Sequence, residues 1–386
     1  MNHINHLHDE EPHNALGISA LNWLSVAFLM YLLLCAVGLI EAGFTSFSRD
    51  QVAPILAFAT NPVAGLMSGI LATAIIQSSS VVTATLVGLV AGGLPISIAI
   101  PIVIGANFGT TITNSLVSLG FAKNKQELKR AFSAATVHDA FNLICLLIFF
   151  PLEIMFSSLE KTIGFLVQRL SFPTVSTEYL GNHLSFLQVV IKPFVEQIRT
   201  ALSAYAQPIE AVVLTGLGIG LLMLSIGFMS QILKMLMVGR AKNTVGRLIG
   251  KSYKSGLLSG TLSTLLVQSS STTTSLGIPL VASGTLTTRN IYPFTLGANL
   301  ATCITAVLAA LAVTGNRMAA LEIALVHLAY NTLGIVLISA LPIVRWAPVH
   351  MAEFLGRSFG RSVLLIITYI ATVYFLIPAT AILIFH

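Results

Sequence analysis

The chain has 386 residues, of which 55% are hydrophobic and only 9% charged, and its mean hydropathy is +0.88. Average soluble domains carry roughly 25% charged residues, so this composition argues against a soluble globular enzyme and for a multi-pass membrane protein. The net charge of +6 is carried mostly by loops, as in inner membrane proteins, and gives no reason to expect a nucleic-acid partner.

Residues 1–20 read as a polar tail. Its His3, His6, His8 and His13 fit a solvated segment better than a metal site, and it lacks the small-residue cleavage site of a secretory signal. The first apolar span, Leu21 to Phe44, is long enough to cross the bilayer, and an outer loop follows to residue 60. No charged side chain occurs from Val52 to Ala122. Within that stretch Asn61 to Ile76 and Val81 to Leu94 are each shorter than the about 20 residues a crossing needs. Between them stands Gln77-Ser78-Ser79-Ser80. Full spans at Ile96 to Leu119 and Ala131 to Phe150 complete a first core, 61–150. Residues 151–208 read as an extracytoplasmic linker, partly an amphipathic helix around Leu187 to Ala201. A second core, 209–345, opens with the span Ile209 to Leu233 and a basic loop. There Ser255 to Val267 and Thr272 to Leu286 flank Gln268-Ser269-Ser270-Ser271, and spans at Ile291 to Val313 and Ala319 to Leu341 follow. A C-terminal segment, 346–386, carries the span Ser362 to Phe385. Cys35, Cys145 and Cys303 all fall in apolar spans and read as core residues, with no disulfide framework or zinc site.

The two cores are internal repeats. Ser68-Gly69 answers to Ser259-Gly260, Gly105-Ala106-Asn107 to Gly297-Ala298-Asn299, Thr110 and Thr113 to Thr302 and Thr305, and His138 and Asn142 to His327 and Asn331. Each serine motif interrupts an apolar stretch, where every unsatisfied polar group costs several kcal/mol. The expected fold is all-α: a polytopic membrane protein with two inverted-topology repeats, each holding a re-entrant helical hairpin with QSSS at its tip. The basic clusters Lys123 to Arg130, Lys234 to Lys254, and Arg357 with Arg361 then all face the cytoplasm. This count puts the N-terminus inside and the C-terminus outside a multi-pass protein of the cell (inner) membrane.

These residues resemble the type II sodium-dependent phosphate cotransporters and their bacterial relatives. The likeness rests on the paired QSSS motifs, on Gly105 to Asn114 (GANFGTTITN), on Arg130 to Asn142 (RAFSAATVHDAFN) and on Tyr292 to Asn299 (YPFTLGAN), and covers most of Asn61 to Gly356. The chain departs from the animal members in lacking long terminal extensions, and its Ala301-Thr302-Cys303 stands where Gly-Thr-Thr is common. The resemblance implies a secondary active transporter, not an enzyme: an electrogenic sodium-coupled symporter of inorganic phosphate working by alternating access. Sodium would be the coupling ion and no other cofactor is expected. The partners are phosphate, sodium and the lipid bilayer, with homo-oligomer formation left open.

The chemistry agrees with that implication. Neither hairpin contains lysine or arginine, and hydroxyls and amides suit both an oxyanion and a hard cation. An anion buried without a fixed cation is costly, and co-bound sodium would offset that cost. Phosphate is assigned to Ser78, Ser79, Ser80, Ser269, Ser270, Ser271, Asn107, Thr110 and Thr111, and sodium to Gln77, Gln268, Asp139, Asn142, Ser79, Ser270, Asn299 and Thr302. Asp139 has no counterpart, because Leu328 occupies its place in the second repeat, and a carboxylate in an apolar helix is a functional candidate by default. The family links an aspartate there to electrogenic transport and an extra sodium ion. The competing structural reading pairs Asp139 with Lys129, Arg130 or His138. Isolated threonines such as Thr83 and Thr274 fit bonding to their own backbone, and Glu41 fits an interfacial position. Two rival functions are weighed. An intramembrane serine hydrolase built on Ser79, His138 and Asp139 lacks the G-x-S-x-G elbow and the triad geometry, whereas a sodium-independent phosphate or anion channel would keep the hydroxyl ring.

Overall fold

A computed structural model describes residues 11–48, 50–51, 61–170, 177–237, 249–342 and 344–385. The expectations for the histidine-bearing tail at 1–10, the outer loop at 52–60 and the basic loop with Arg240, Lys242 and Arg247 lie outside these residues. Among the described residues all regular structure is helical, and seven helical segments are long and apolar enough to cross a membrane. They run over Ala20–Thr45, Ile96–Phe121, Lys125–Phe156, Gln207–Leu233, Thr288–Ala312, Arg317–Ala340 and Val363–Phe385, matching the seven full spans read from hydropathy.

The first long helix, α1 (Glu11–Thr45), packs along α9 (Gln207–Met237). Gly43 lies against Thr215 and Gly218 against Ile40, so small residues let the two backbones approach. Beside them stands a pair of shorter helices, α2 (Pro62–Ile76) and α3 (Ser79–Ala91). A matching pair follows in the second half: α10 (Tyr253–Val267), then α11 (Ser270–Ser275) and α12 (Gly277–Ala282).

Each pair is crossed by its own downstream helix, α2 by α4 (Ile96–Gly109) and α10 by α13 (Thr288–Ala312). Glycine makes both crossings possible. A Cβ on Gly69 would strike the Ile102 carbonyl and one on Gly105 the Leu66 carbonyl; the equivalent collisions are Gly260 with Phe294 and Gly297 with Leu257. Four matched glycines therefore bring backbone against backbone in both halves.

After α4 come the short α5 (Ile112–Ser118), a single 3-10 turn, and the long α6 (Lys125–Phe156). Asn124 caps α6 by accepting from Gln126 N and Glu127 N, and the helix runs past residue 150, where the sequence reading ended the first core. The segment read as a linker is more ordered than expected, holding α7 (Ser158–Leu170) as well as α8 (Thr177–Leu202). Buried Glu153 fixes the α6–α7 corner by accepting from Leu159 N at 2.6 Å and Glu160 N at 3.3 Å. In the second half α14 (Arg317–Ala340) follows α13, and α15 (Ala347–Ser358) packs along the start of α6. The last span comprises α16 (Val363–Ala371), a widened π turn at Thr372–Leu376, and α17 (Ile377–Phe385) against α2.

Glu41, near the end of α1, is packed inside the protein. It is buried, and its carboxylate accepts from Thr314 N at 2.9 Å and Thr314 Oγ1 at 3.0 Å, tying α1 to the α13–α14 turn.

Candidate functional site

The two serine motifs fold alike. Gln77 ends α2 and Gln268 ends α10 in the left-handed region, at φ 57 and φ 54, each donating its backbone N–H to a threonine carbonyl, Thr73 O or Thr264 O, at 2.7 Å. A non-glycine residue there costs roughly 1 to 2 kcal/mol and points to a functional constraint. The next residue, Ser78 or Ser269, is extended and caps the following helix, accepting from Val81 N at 3.3 Å or Thr272 N at 3.2 Å. The first-turn N–H groups of α3 and its serine hydroxyls are thereby held at the break between α2 and α3.

The two tips line one cavity of about 320 Å³. All six motif serines, Gln77, Gln268 and Thr110 contribute to its wall, and no charged side chain does. Ser79, Ser80 and Ser270 are buried, and Ser79 Oγ lies 3.0 Å from Thr110 Oγ1. Ile76, Val81 and Thr272 flank the tips, and the opposite wall comes from α9, through Met223, Ile226, Gly227, Ser230 and Gln231. Sequence reasoning missed this contribution. The signal was present as a polar Ser230-Gln231 pair inside an otherwise apolar span.

Behind the second tip, Ser80, Thr264, Gln268, Ser270, Thr302 and Thr305 surround a void too narrow for water. Thr305 Oγ1 donates to Gln268 Oε1 at 3.4 Å, and Gln268 Nε2 donates to Leu265 O at 2.8 Å. Thr73 and Thr264, matched positions one turn before each glutamine, are buried with side-chain oxygens that have no hydrogen-bond partner. Thr83 and Thr274 bond back to Ser79 O and Ser270 O as expected, and Thr274 also exchanges hydrogen bonds with Asn114.

The other predicted residues do not reach the cavity. Asn107, Asn142 and Asn299 join Asn331 in a buried amide cluster drawn from α4, α6, α13 and α14. Asn107 Nδ2 and Asn299 Nδ2 donate to Asn331 Oδ1 at 2.8 and 2.7 Å, Asn142 Nδ2 donates to Asn107 O at 2.8 Å, and Asn299 Nδ2 reaches Asn142 Oδ1 at 3.4 Å. Cys303 belongs to the same cluster, since Asn331 Nδ2 lies 3.2 Å from its sulfur.

Asp139 and Asn142, three apart on α6, have different hydrogen-bond partners. Asp139 Oδ2 accepts from Tyr369 and Tyr374, both at 2.8 Å, while Oδ1 has no partner. Thr111 Oγ1 lies 2.6 Å from the Tyr374 hydroxyl, which makes a chain Thr111, Tyr374, Asp139, Tyr369 in the protein interior. Lys129, Arg130 and His138 make no hydrogen bond or ion pair to Asp139. No group of three or more His, Cys, Asp or Glu side chains that could hold a metal ion occurs among the described residues.

The family model of the Na+/Pi-cotransporters matches residues 32–181 and 221–348. Among curated proteins the chain is similar to the sodium-dependent phosphate transport protein 2A of Rattus norvegicus, 30% identical over 91% of this chain and 65% of that protein. It is also similar to the 2A protein of Oryctolagus cuniculus, 29% identical over 92% of this chain and 66% of that one, and to the 2B protein of Homo sapiens, 28% identical over 91% and 63%. The chain thus spans about two thirds of the length of these relatives. No solved structure matches it.

Proposed function

The chain belongs to the Na+/Pi-cotransporter family, and from that premise we propose that it is a symporter carrying inorganic phosphate into the cell with sodium. The observation that carries the reading is the uncharged cavity between the two QSSS tips. It offers hydroxyls, amides and the first-turn N–H groups of α3 to an oxyanion but no fixed cation, so charge balance must come from ions bound with it.

Phosphate is held by Ser78, Ser79, Ser80, Ser269, Ser270, Ser271 and Thr110, with Ser230 and Gln231 of α9 closing the open side. Sodium is held around Gln77, Gln268, Ser79, Ser270 and Thr302, with Thr73 and Thr264 supplying free hydroxyl oxygens. Asp139 takes an additional sodium through its unpartnered Oδ1, alongside Thr111 and Tyr374, and makes the cycle electrogenic. Asn107, Asn142 and Asn299 act indirectly by holding the halves in register. The α2–α3 and α10–α12 pairs serve as re-entrant hairpins of two inverted repeats, 61–150 and 209–345, and alternating access moves the repeats about the shared cavity. The basic loops orient the protein in the cell membrane with the N-terminus inside and the C-terminus outside.

Radiolabelled phosphate uptake into proteoliposomes tests the reading. A sodium gradient should drive accumulation above the equilibrium level, and a potassium gradient should not. Equal accumulation with potassium in place of sodium, or uptake that never exceeds equilibrium, would refute symport and favour a channel.

A further inference from the structure

A second polar cavity lies away from the serine tips. It has a volume of about 370 Å³ and is formed by the first turns of α6, the α12–α13 turn and the last turn of α15. Lys129 and Arg130 come from α6 and Arg357 from α15, while Glu353 is the sole carboxylate in its wall. The lining is therefore two positive charges in excess. Among the described residues none of these three cations makes an ion pair, with Glu353 or any other acid. Its buried lining includes two hydroxyls, Ser133 and Thr288, beside the apolar Val281.

Thr288 opens α13, a helix of 25 residues whose start is closed by a capping box between Thr287 and Asn290. Gly284 adopts φ +82, and a Cβ there would come within 2.9 Å of Arg130 Nη1, so the guanidinium packs directly against this turn. This end of the molecule also bears the marks of interfacial depth. Arg289 stacks over Trp346 at 3.9 Å, Arg345 lies over Tyr253 at 5.6 Å, and Phe354 on α15 is 59% exposed.

From these features we propose that the α6–α13–α15 cavity binds a phosphoryl anion, held by the guanidinium forks of Arg130 and Arg357 and the ammonium of Lys129. Guanidinium groups from two different helices match the spread of oxygens on a tetrahedral phosphoryl group. Two sources share that chemistry: the headgroup of an anionic phospholipid, and free phosphate. The site is distinct from the serine cavity and its assignment does not depend on the transport reading.

The test uses the purified full chain in neutral detergent and sodium-free potassium buffer, titrated separately with dihexanoyl phosphatidic acid and with inorganic phosphate. At least one probe should bind saturably. Each of Arg130→Gln and Arg357→Gln should weaken it about tenfold, the scale of one charge-assisted contact. Glu353→Gln, which removes the only opposing charge, should tighten it, and it serves as the readout if an arginine variant fails to fold. Binding of the lipid alone assigns a headgroup site, and binding of inorganic phosphate assigns a free-anion site. Failure of both probes, arginine variants that bind like the parent, or Glu353→Gln without effect would each overturn the proposal.

Discussion

Gln77 and Gln268 adopt the same backbone geometry, φ 57, ψ 27 against φ 54, ψ 26, and Ser78 and Ser269 share φ −150 with ψ 104 and 107. The helices facing these tips differ at matched positions. In the first half α4 stops at Gly109, which places Thr110 Oγ1 against Ser79 and Thr111 Oγ1 against Tyr374. In the second half Ala301 stands in place of that glycine, α13 continues to Ala312, and Thr302 Oγ1 bonds back to Ala298 O at 3.1 Å. Both helices keep an internal proline, Pro101 or Pro293, so proline does not account for the break. Glycine is a poor helix residue and alanine the best, a difference of about 1 kcal/mol that favours the break in the first half only. The tips are thus built alike while only the first half is opened toward Asp139. That asymmetry separates what both halves must do from what one half adds.

The shared part is tested most severely at the glycine crossings. Gly105→Val and Gly297→Val each drive side-chain atoms into a backbone carbonyl, of Leu66 or Leu257. Each should destabilise the protein by about 3 kcal/mol or more, read as lost monodisperse yield and a lower unfolding temperature. Tolerance of one substitution but not the other would mean that the halves are not packed alike.

The added part is tested at Asp139. Under an inside-negative potassium diffusion potential of about 100 mV, an electrogenic cycle gains roughly 2.3 kcal/mol per net charge moved. Parent uptake should rise with that potential and Asp139→Gly uptake should be nearly indifferent to it. A glycine variant as voltage-sensitive as the parent would reduce Asp139 to an anchor for Tyr369 and Tyr374.

The smallest effect sharpens the contrast between the tips. Ser79→Ala and Ser270→Ala should both weaken phosphate uptake. Only Ser79→Ala also removes a side-chain hydrogen bond across to the facing segment, worth about 1 kcal/mol, so it alone should lower the unfolding temperature. Equal melting of the two variants would show that the Thr110 contact contributes nothing to stability.

Most of the helical architecture was legible, because seven long, predominantly apolar stretches admit few alternatives in lipid. The serine tips were legible because polar runs in apolar segments recur at matched places. Other features carried no such signal. Tyr369 and Tyr374 lie 230 and 235 residues from Asp139, and a tyrosine in an apolar span reads as ordinary packing. α7 was hidden because its continuous apolar run, Ile163 to Val167, is only five residues long and is flanked by Glu160, Lys161 and Arg169. The committed state of the asparagines was equally hidden, since an amide in a membrane helix suggests a ligand until its partners are known. The Ala301 substitution was visible, but its effect on helix continuity only emerges once the facing glutamine tips are in position.

The asparagine cluster also bears on how such a chain assembles. Its four amides come as two matched pairs, Asn107 with Asn142 from the first half and Asn299 with Asn331 from the second, and three of its hydrogen bonds, from Asn107 to Asn331, from Asn299 to Asn142 and from Asn331 back to Asn107, cross between halves. During synthesis the first half enters the bilayer before its partner exists, with Asn107 Nδ2 lacking the acceptor it later finds on Asn331. Hydrocarbon supplies no substitute. A first half made alone should therefore be prone to pair with a neighbouring copy through these amides.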